Sequence, residues 1–296
     1  MPYLSIIIPT YNRATYLKST LILILEQSFQ DFEVVIVDDG SEDNTSDIVS
    51  SFEDKRIKYY FQQNQGVSVA RNTGANFATS NYLVFLDSDD SFEQKWLTDF
   101  IKVITDNDYD LICCGVRVMK RNISKDKTLN DEIISAKEIY KRLLAGAFAI
   151  KKDFFINIGQ YDCNMRFGEN TELSIRIQAN PINVGFIDST NLIYFPTADG
   201  GGRNLKNRAE SNIYCLNKHK EWFENHKRVK RMYLQSTAVA LYKLSHLSDS
   251  KKYFLKAWKN NPMHVKGFLR LFICHFPLLA KLIWKKEESA VLKNQL

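Results

Sequence analysis

Cysteine is scarce in this chain and poorly placed for cross-links. The 296 residues include five (Cys113, Cys114, Cys163, Cys215 and Cys274), an odd number with no Cys-x-x-Cys pair. That usage predicts a reduced, cytoplasmic setting and argues against both a disulfide framework and a structural zinc site. The start, Met1-Pro2-Tyr3-Leu4-Ser5-Ile6-Ile7-Ile8-Pro9, lacks a basic region and a long apolar core, so it does not read as a signal peptide. No Gly-x-Gly-x-x-Gly follows a strand-like run, which argues against a dinucleotide oxidoreductase. Also missing near the start is the Gly-rich, Arg/Lys-bearing signature expected of a nucleotidyltransferase that makes activated sugars.

What is present is an ordinary globular composition, with 45% hydrophobic and 25% charged residues. The net charge of +6 is unevenly spread. Residues 216–296 hold 17 Lys and Arg against 5 Asp and Glu, so the rest of the chain is acidic. A basic tail on an acidic body points to an anionic surface as its partner. Within the tail, Phe268, Leu271, Phe272, His275, Leu279 and Leu282 fall on one side of a helix, with Lys266, Arg270, Lys281 and Lys285 on the other. The stretch is too short and too charged to span a bilayer, and Pro277 would kink it. Residues 266–286 therefore read either as an interfacial helix on an anionic membrane or as an ordinary terminal helix packed on its neighbours; nucleic acid fits less well.

Short apolar runs alternate with longer segments of helical period. Leu4–Pro9, Glu33–Val37, Arg56–Phe61, Tyr82–Leu86 and Leu111–Val118 read as strands. Ala14–Gln27, Asp43–Phe52, Gly66–Ala78 and Phe92–Thr105 read as the helices between them. This order predicts an α/β fold, Rossmann-like, with a mixed, mostly parallel sheet covered on both faces by helices. Lys120–Asp131 is polar and without period, and reads as a mobile loop. Ser135–Leu144 is a helix with a capping box between Ser135 and Glu138, and Glu169–Gln178 is a shorter one. Val184–Ile187 and Leu192–Phe195 are strand-like. Past Asn204 the chain turns helical, with Lys230–Leu244 and Ser250–Lys259 as a hairpin. The predicted division is 1–215 as the α/β domain, in halves 1–118 and 119–215, and 216–296 as a basic helical appendage.

Chemistry-bearing residues gather where these strands end. Asp87-Ser88-Asp89-Asp90 closes the apolar run 82–86, at the edge where α/β sheets bind ligands. Two carboxylates one residue apart can share a hard cation and a sugar hydroxyl, leaving coordination positions for phosphate oxygens. Pro9-Thr10-Tyr11-Asn12 follows the first strand, where a ring can flank a planar base, and Asp38-Asp39 follows the second. Arg71 and Asn72 offer a guanidinium and an amide. Each also has an ordinary reading, as a turn tyrosine, a capping aspartate or a solvated arginine. It is their convergence on one sheet edge that points to a site.

Together these segments resemble family-2 glycosyltransferases with a GT-A fold. The resemblance rests on Ser5-Ile6-Ile7-Ile8-Pro9-Thr10-Tyr11-Asn12, Val37-Asp38-Asp39-Gly40-Ser41, Gly66-Val67-Ser68-Val69-Ala70-Arg71-Asn72-Thr73-Gly74 and Asp87-Ser88-Asp89-Asp90, in family order over roughly the first two hundred residues. It implies an inverting transferase of the bacterial surface-polysaccharide type, using a nucleotide-sugar donor, with UDP expected, and a glycan or lipid-linked acceptor. It places the protein in the cytoplasm, on the inner face of the cell membrane if the tail binds there. Pro9, Tyr11 and Asp39 would hold the base, with Asn12, Asp38 and Ser88 also on the donor side. Arg71 would lie beside the base and diphosphate. Asp87 would face ribose and sugar, and Asp89 would hold Mn2+ or Mg2+.

Such enzymes supply a catalytic base from a Glu-Asp pair opening a later helix. Here that segment is Phe167-Gly168-Glu169-Asn170-Thr171-Glu172-Leu173, and Asn170 stands where the aspartate is expected. An amide cannot take a proton from the acceptor hydroxyl, so Glu169 becomes the first candidate and Glu172 the second. Glu172 is also placed for an ion pair with Arg176 and Glu169 for helix-terminus stabilisation. A histidine expected near Tyr194-Phe195-Pro196 is missing, and Arg203 is a candidate cationic substitute. These departures leave open a nucleotide-sugar-binding protein that has lost turnover.

Overall fold

A computed structural model describes residues 2–122, 127–194, 204–263, 265–276 and 279. The chain forms two compact units, Met1–Cys163 with Glu169–Ala198, and Asn164–Gly168 with Asp199–Leu296.

The first unit is built on a mixed sheet. β1 (Leu4–Thr10), β2 (Phe32–Asp38), β3 (Ile57–Phe61) and β4 (Tyr82–Phe85) are parallel, in the spatial order β3-β2-β1-β4. β1, β2 and β4 are buried along their whole length, which is why they read as unbroken apolar runs rather than alternating ones. The crossovers are α1 (Ala14–Leu25), α2 (Thr45–Ser50) and α3 (Val67–Phe77). α3 lies very close to the sheet at Gly74, where a Cβ would come within 2.5 Å of Ile7 Cγ2. Beyond β4 the sheet continues through antiparallel β8 (Phe148–Lys151), then β6 (Leu111–Asn122), β9 (Val184–Tyr194) and β5 (Ser91–Phe92). β6 and β9 are parallel. The α/β expectation of a mostly parallel sheet flanked by helices holds.

Several local readings change. Of the expected loop over 120–131, residues 123–126 lie outside the described residues and the rest is strand: β7 (Lys127–Ile134) pairs antiparallel with β6 in register Val116↔Ile134 and Asn122↔Lys127, with a shift between Val118 and Lys120. A hairpin held by its backbone ladder need not carry an apolar alternation, so polarity alone did not reveal it. The helix expected from Phe92 starts later, as α4 (Trp96–Asp106), because Ser91 and Phe92 pair with Ile193 and Leu192. β8 and α6 (Lys152–Asn157) have no counterpart among the expected elements. α5 (Ala136–Arg142) starts at the expected capping box, with both of its hydrogen bonds formed. α7 (Glu169–Gln178) spans the residues expected of it.

The second unit contains α8 (Leu205–Lys218), α9 (Lys220–Asn225), α10 (Lys227–Lys243), α11 (Leu247–Asn260) and α12 (Val265–Ile273). α10 and α11 form the predicted hairpin. Its core is Ala238, Phe254 and Cys274, with Leu271 and Ile273 of α12 packed against it. Leu271, on the apolar stripe read from the sequence, packs against this core, as a terminal helix resting on its neighbours would. Among the described residues from 265 onward, Phe268, Leu269, Phe272, Phe276 and Leu279 are exposed. Pro277, Lys281, Leu282 and Lys285 lie outside the described residues, as do Phe195, Pro196 and Arg203.

Candidate functional site

Strand order determines where a ligand can enter. The chain leaves β1 toward β2 and β3, then returns to β4 on the other side of β1, so the connections diverge above the carboxyl ends of β1 and β4. All the first-half candidate residues except Arg71 and Asn72, which lie on α3, stand on that edge, at the ends of β1, β2 and β4; Asn72 is tied to the Tyr161 backbone, donating to its carbonyl and accepting from its N–H.

On the β1–β2 rim, Pro9 is buried in the strand while Tyr11 is 47% exposed and available as a stacking face. Asn12, at φ 52°, ties two loops together: its Oδ1 accepts from the Glu42 backbone N–H at 2.8 Å and its own N–H donates to Ser41 Oγ. Asp38 accepts from the Ser41 N–H and from the Tyr59 hydroxyl at 2.6 Å. Burial and the Asp38 carboxylate push the Tyr59 phenol upward, so it stays a donor. Asp39 accepts from Gln62 Nε2, the Gln65 N–H and the Gly66 N–H, at 2.7 to 2.9 Å. Gly66, at φ 95°, opens α3 in a backbone conformation that glycine adopts without strain. The two aspartates therefore organise the rim, and part of their acceptor capacity is already used.

The turn after β4 concentrates negative charge. Asp87 is 40% exposed at its side chain, Asp90 is buried, and Ser88 is buried with its carbonyl accepting from Thr20 Oγ1. Burial, then Asp87, raises the Asp89 carboxyl above its ordinary value; burial, then Asp87 and Asp89, raises Asp90 well above it. Ser91 pairs with Ile193, which sets Tyr194 beside the turn, and burial with the Asp90, Asp87 and Asp89 charges raises its phenol too. Among the described residues no three His, Cys, Asp or Glu converge as a metal cage. The turn can offer a cation one or two carboxylates, and the remaining ligands would have to come from a substrate.

Arg71 faces this turn from α3. Its Nη2 donates to Asp87 Oδ1 at 2.6 Å and its Nη1 to Glu169 Oε1 at 2.9 Å. Burial works against its charge, but Asp87, Tyr161 and Glu169 hold it firmly protonated. Glu169 is thus brought to the acid turn; Glu172 is not. Glu172 is fully buried and bonded to Arg176 through both carboxylate oxygens, at 2.7 to 3.0 Å, and Arg176 also donates to the Ile158 carbonyl. Its second reading, the ion pair within the helix, describes it. Asn170 accepts from the Tyr161 hydroxyl at 2.8 Å. Tyr161, missed from sequence, also lies 5.1 Å below the Arg71 guanidinium. It comes from a segment without period, and no sequence signal marks it.

Comparison with known proteins decides the family. The profile of Glycosyl transferase family 2 matches residues 5–162, more than half of the chain. The chain belongs to that family. Relatives of the chain include glycosyltransferase GlyA of Streptococcus pneumoniae serotype 4, 40% identical over 110 residues, covering 36% of this chain and 16% of GlyA. TuaG of Bacillus subtilis, provisionally named a teichuronic acid biosynthesis glycosyltransferase, is 35% identical over 140 residues, covering 46% of this chain and 54% of TuaG. The match thus spans little more than half of such relatives at most. Residues 1–349 of S. aureus TarS, crystallised with UDP-GlcNAc, share the fold at TM-score 0.62 and 18% identity, covering 94% of this chain and 88% of that one.

Proposed function

We propose that this family-2 protein transfers a sugar, with inversion, from a nucleotide-diphosphate donor to a hydroxyl of a glycan or lipid-linked acceptor in cell-surface polysaccharide synthesis. The observation that carries the reading is the Asp87–Asp90 turn at the divergence of β1 and β4, with the Glu169 carboxylate held to it through Arg71. The name of TuaG supports a surface polysaccharide, and the UDP-GlcNAc held by TarS supports a UDP-sugar as donor. Residues 1–118 would bind the donor and 119–215 the acceptor.

Tyr11 and Pro9 would flank the base, with Asp39 and Asp38 ordering the loops around it and Asn12 joining them. Asp87 would meet ribose and sugar, beside Ser88. The acid turn fits a divalent cation: Asp89 and Asp90 carry carboxyls raised by burial and then by the Asp87 charge, which a cation would relieve. Asp89 would hold Mn2+ or Mg2+, an oxygen-only set completed by diphosphate oxygens. When bound, the ion neutralises charge on the departing diphosphate. Glu169 then takes the proton of the acceptor hydroxyl as it attacks from the opposite face.

The assay is UDP release from a panel of UDP-sugars with Mn2+. Glu169→Gln should keep donor binding and lose about 10²–10⁴-fold in turnover, the range typical of a general base. A second reading, a sugar-nucleotide-binding protein without turnover, is favoured by Asn170, whose amide is held by Tyr161. Donor binding by the wild type with no UDP release from any pair of donor and acceptor would select it.

The second unit fits attachment to the anionic inner face of the membrane through residues 266–286. Among the described residues no helix is long and apolar enough to cross a membrane. The exposed Phe268, Leu269, Phe272, Phe276 and Leu279, in a tail of net charge +12, suit a helix lying in the interface.

A further inference from the structure

Arg71 is only 2% exposed, yet it carries a full charge and touches both halves of the candidate site. A buried guanidinium is costly unless its charge is matched and its donors are used. Here the two Nη groups are divided between carboxylates from distant elements, Asp87 in the turn after β4 and Glu169 at the first residue of α7. The Tyr161 ring backs the guanidinium, and the same tyrosine's hydroxyl holds Asn170, the residue after Glu169. Nε is buried and has no hydrogen-bond partner among the described residues. Asp87 and Glu169 are 40% and 15% exposed at their side chains, so the guanidinium stands behind them rather than in the cleft.

We propose that Arg71 is a positioning residue that locks the base carboxylate of Glu169 to the donor-side carboxylate of Asp87, rather than a ligand of the donor's diphosphate. This rests on the reading of Glu169 as base. The guanidinium is a rigid planar fork, so one group sets the separation and the facing of both carboxylates. In a single displacement, the base must reach the acceptor hydroxyl on one face of the sugar while the donor is gripped on the other. Their spacing is therefore a catalytic parameter, and a misplacement of about 1 Å can cost on the order of 100-fold in rate. Lysine keeps the charge but cannot present a fork to two carboxylates. The same position explains why Asn170 can be spared: with its amide tied to Tyr161, it helps hold the platform on which Arg71 rests.

The test is a double-mutant cycle on the full chain, comparing wild type, Arg71→Lys, Glu169→Gln and the double variant, with kcat from UDP release and UDP affinity from calorimetry with Mn2+. Arg71→Lys is expected to lower kcat by about 10- to 100-fold while UDP affinity moves by less than about 3-fold. In the Glu169→Gln background the same change should lower kcat no further. Losses that multiply would overturn the coupling, and so would a fall in UDP affinity matching the fall in kcat/KM, the mark of a direct diphosphate contact. Glu169→Gln with undiminished turnover would instead defeat the base assignment, and this inference with it. Should Arg71→Lys lack a cooperative thermal transition, Arg71→Gln carries the same cycle.

Discussion

At the residue scale, the acid turn is a set of charges the fold holds at a cost. Asp90 is buried, and burial together with Asp87 and Asp89 raises its carboxyl well above the ordinary range. An acid raised in the native state stabilises the fold below its unfolded value near pH 4, and that contribution disappears as pH climbs through the raised native value. Above that unfolded value the group increasingly opposes folding, because the fold disfavours its charge. Asp90→Asn removes that opposition, so the metal-free variant should be more stable than wild type at pH 7 by about 1 kcal/mol, or roughly 2–4 °C in thermal midpoint. The gap should close as pH falls toward 4. Calorimetric melts of both proteins across that pH range check it, and a variant less stable at pH 7 would mean that Asp90 makes a compensating contact. Glu172 shows the opposite economy. It is fully buried but matched by the Arg176 fork, and so has a structural partner at hand.

At the element scale, what could be read from the chain depended on whether a signal was local. The parallel strands announced themselves as buried apolar runs, and the capping box of α5 was written in Ser135 and Glu138. The acid turn was legible because it directly follows β4. The short strand β8 was not, because four residues carry too little period and their pairing with β4 and β6 is a tertiary fact. The same holds for the link from Arg71 to Glu169, which joins residues 98 apart in the chain. The apolar stripe read on the tail divides: Leu271 of α12 packs on the cluster of Ala238, Phe254 and Cys274, while Phe268 and Phe272 of α12, and Phe276 beyond its end, are exposed. Replacing those three phenylalanines by serine should therefore spare the core. It should abolish most flotation of the full chain with phosphatidylglycerol vesicles, while phosphatidylcholine vesicles should bind neither form well. Equal flotation of both proteins would remove the interfacial role.

At the scale of the whole molecule, the account joins a sheet whose topology opens a crevice, an acid turn at its lip and a later helix whose first residue supplies a carboxylate. The family assignment covers residues 5–162, a span that includes the acid turn and Arg71. Glu169 lies beyond that span and is tied to it by Arg71. The central claim is that the Asp87–Asp90 turn binds a divalent cation together with a nucleoside diphosphate. The most direct measurement is titration of UDP into the protein by calorimetry, with and without Mn2+, for wild type and Asp89→Ala. The account predicts that Mn2+ strengthens UDP binding to wild type and that Asp89→Ala loses about 10-fold or more of the Mn2+-dependent affinity, as expected when a charged metal ligand is removed. Equal uptake of UDP and Mn2+ by the two proteins would contradict it.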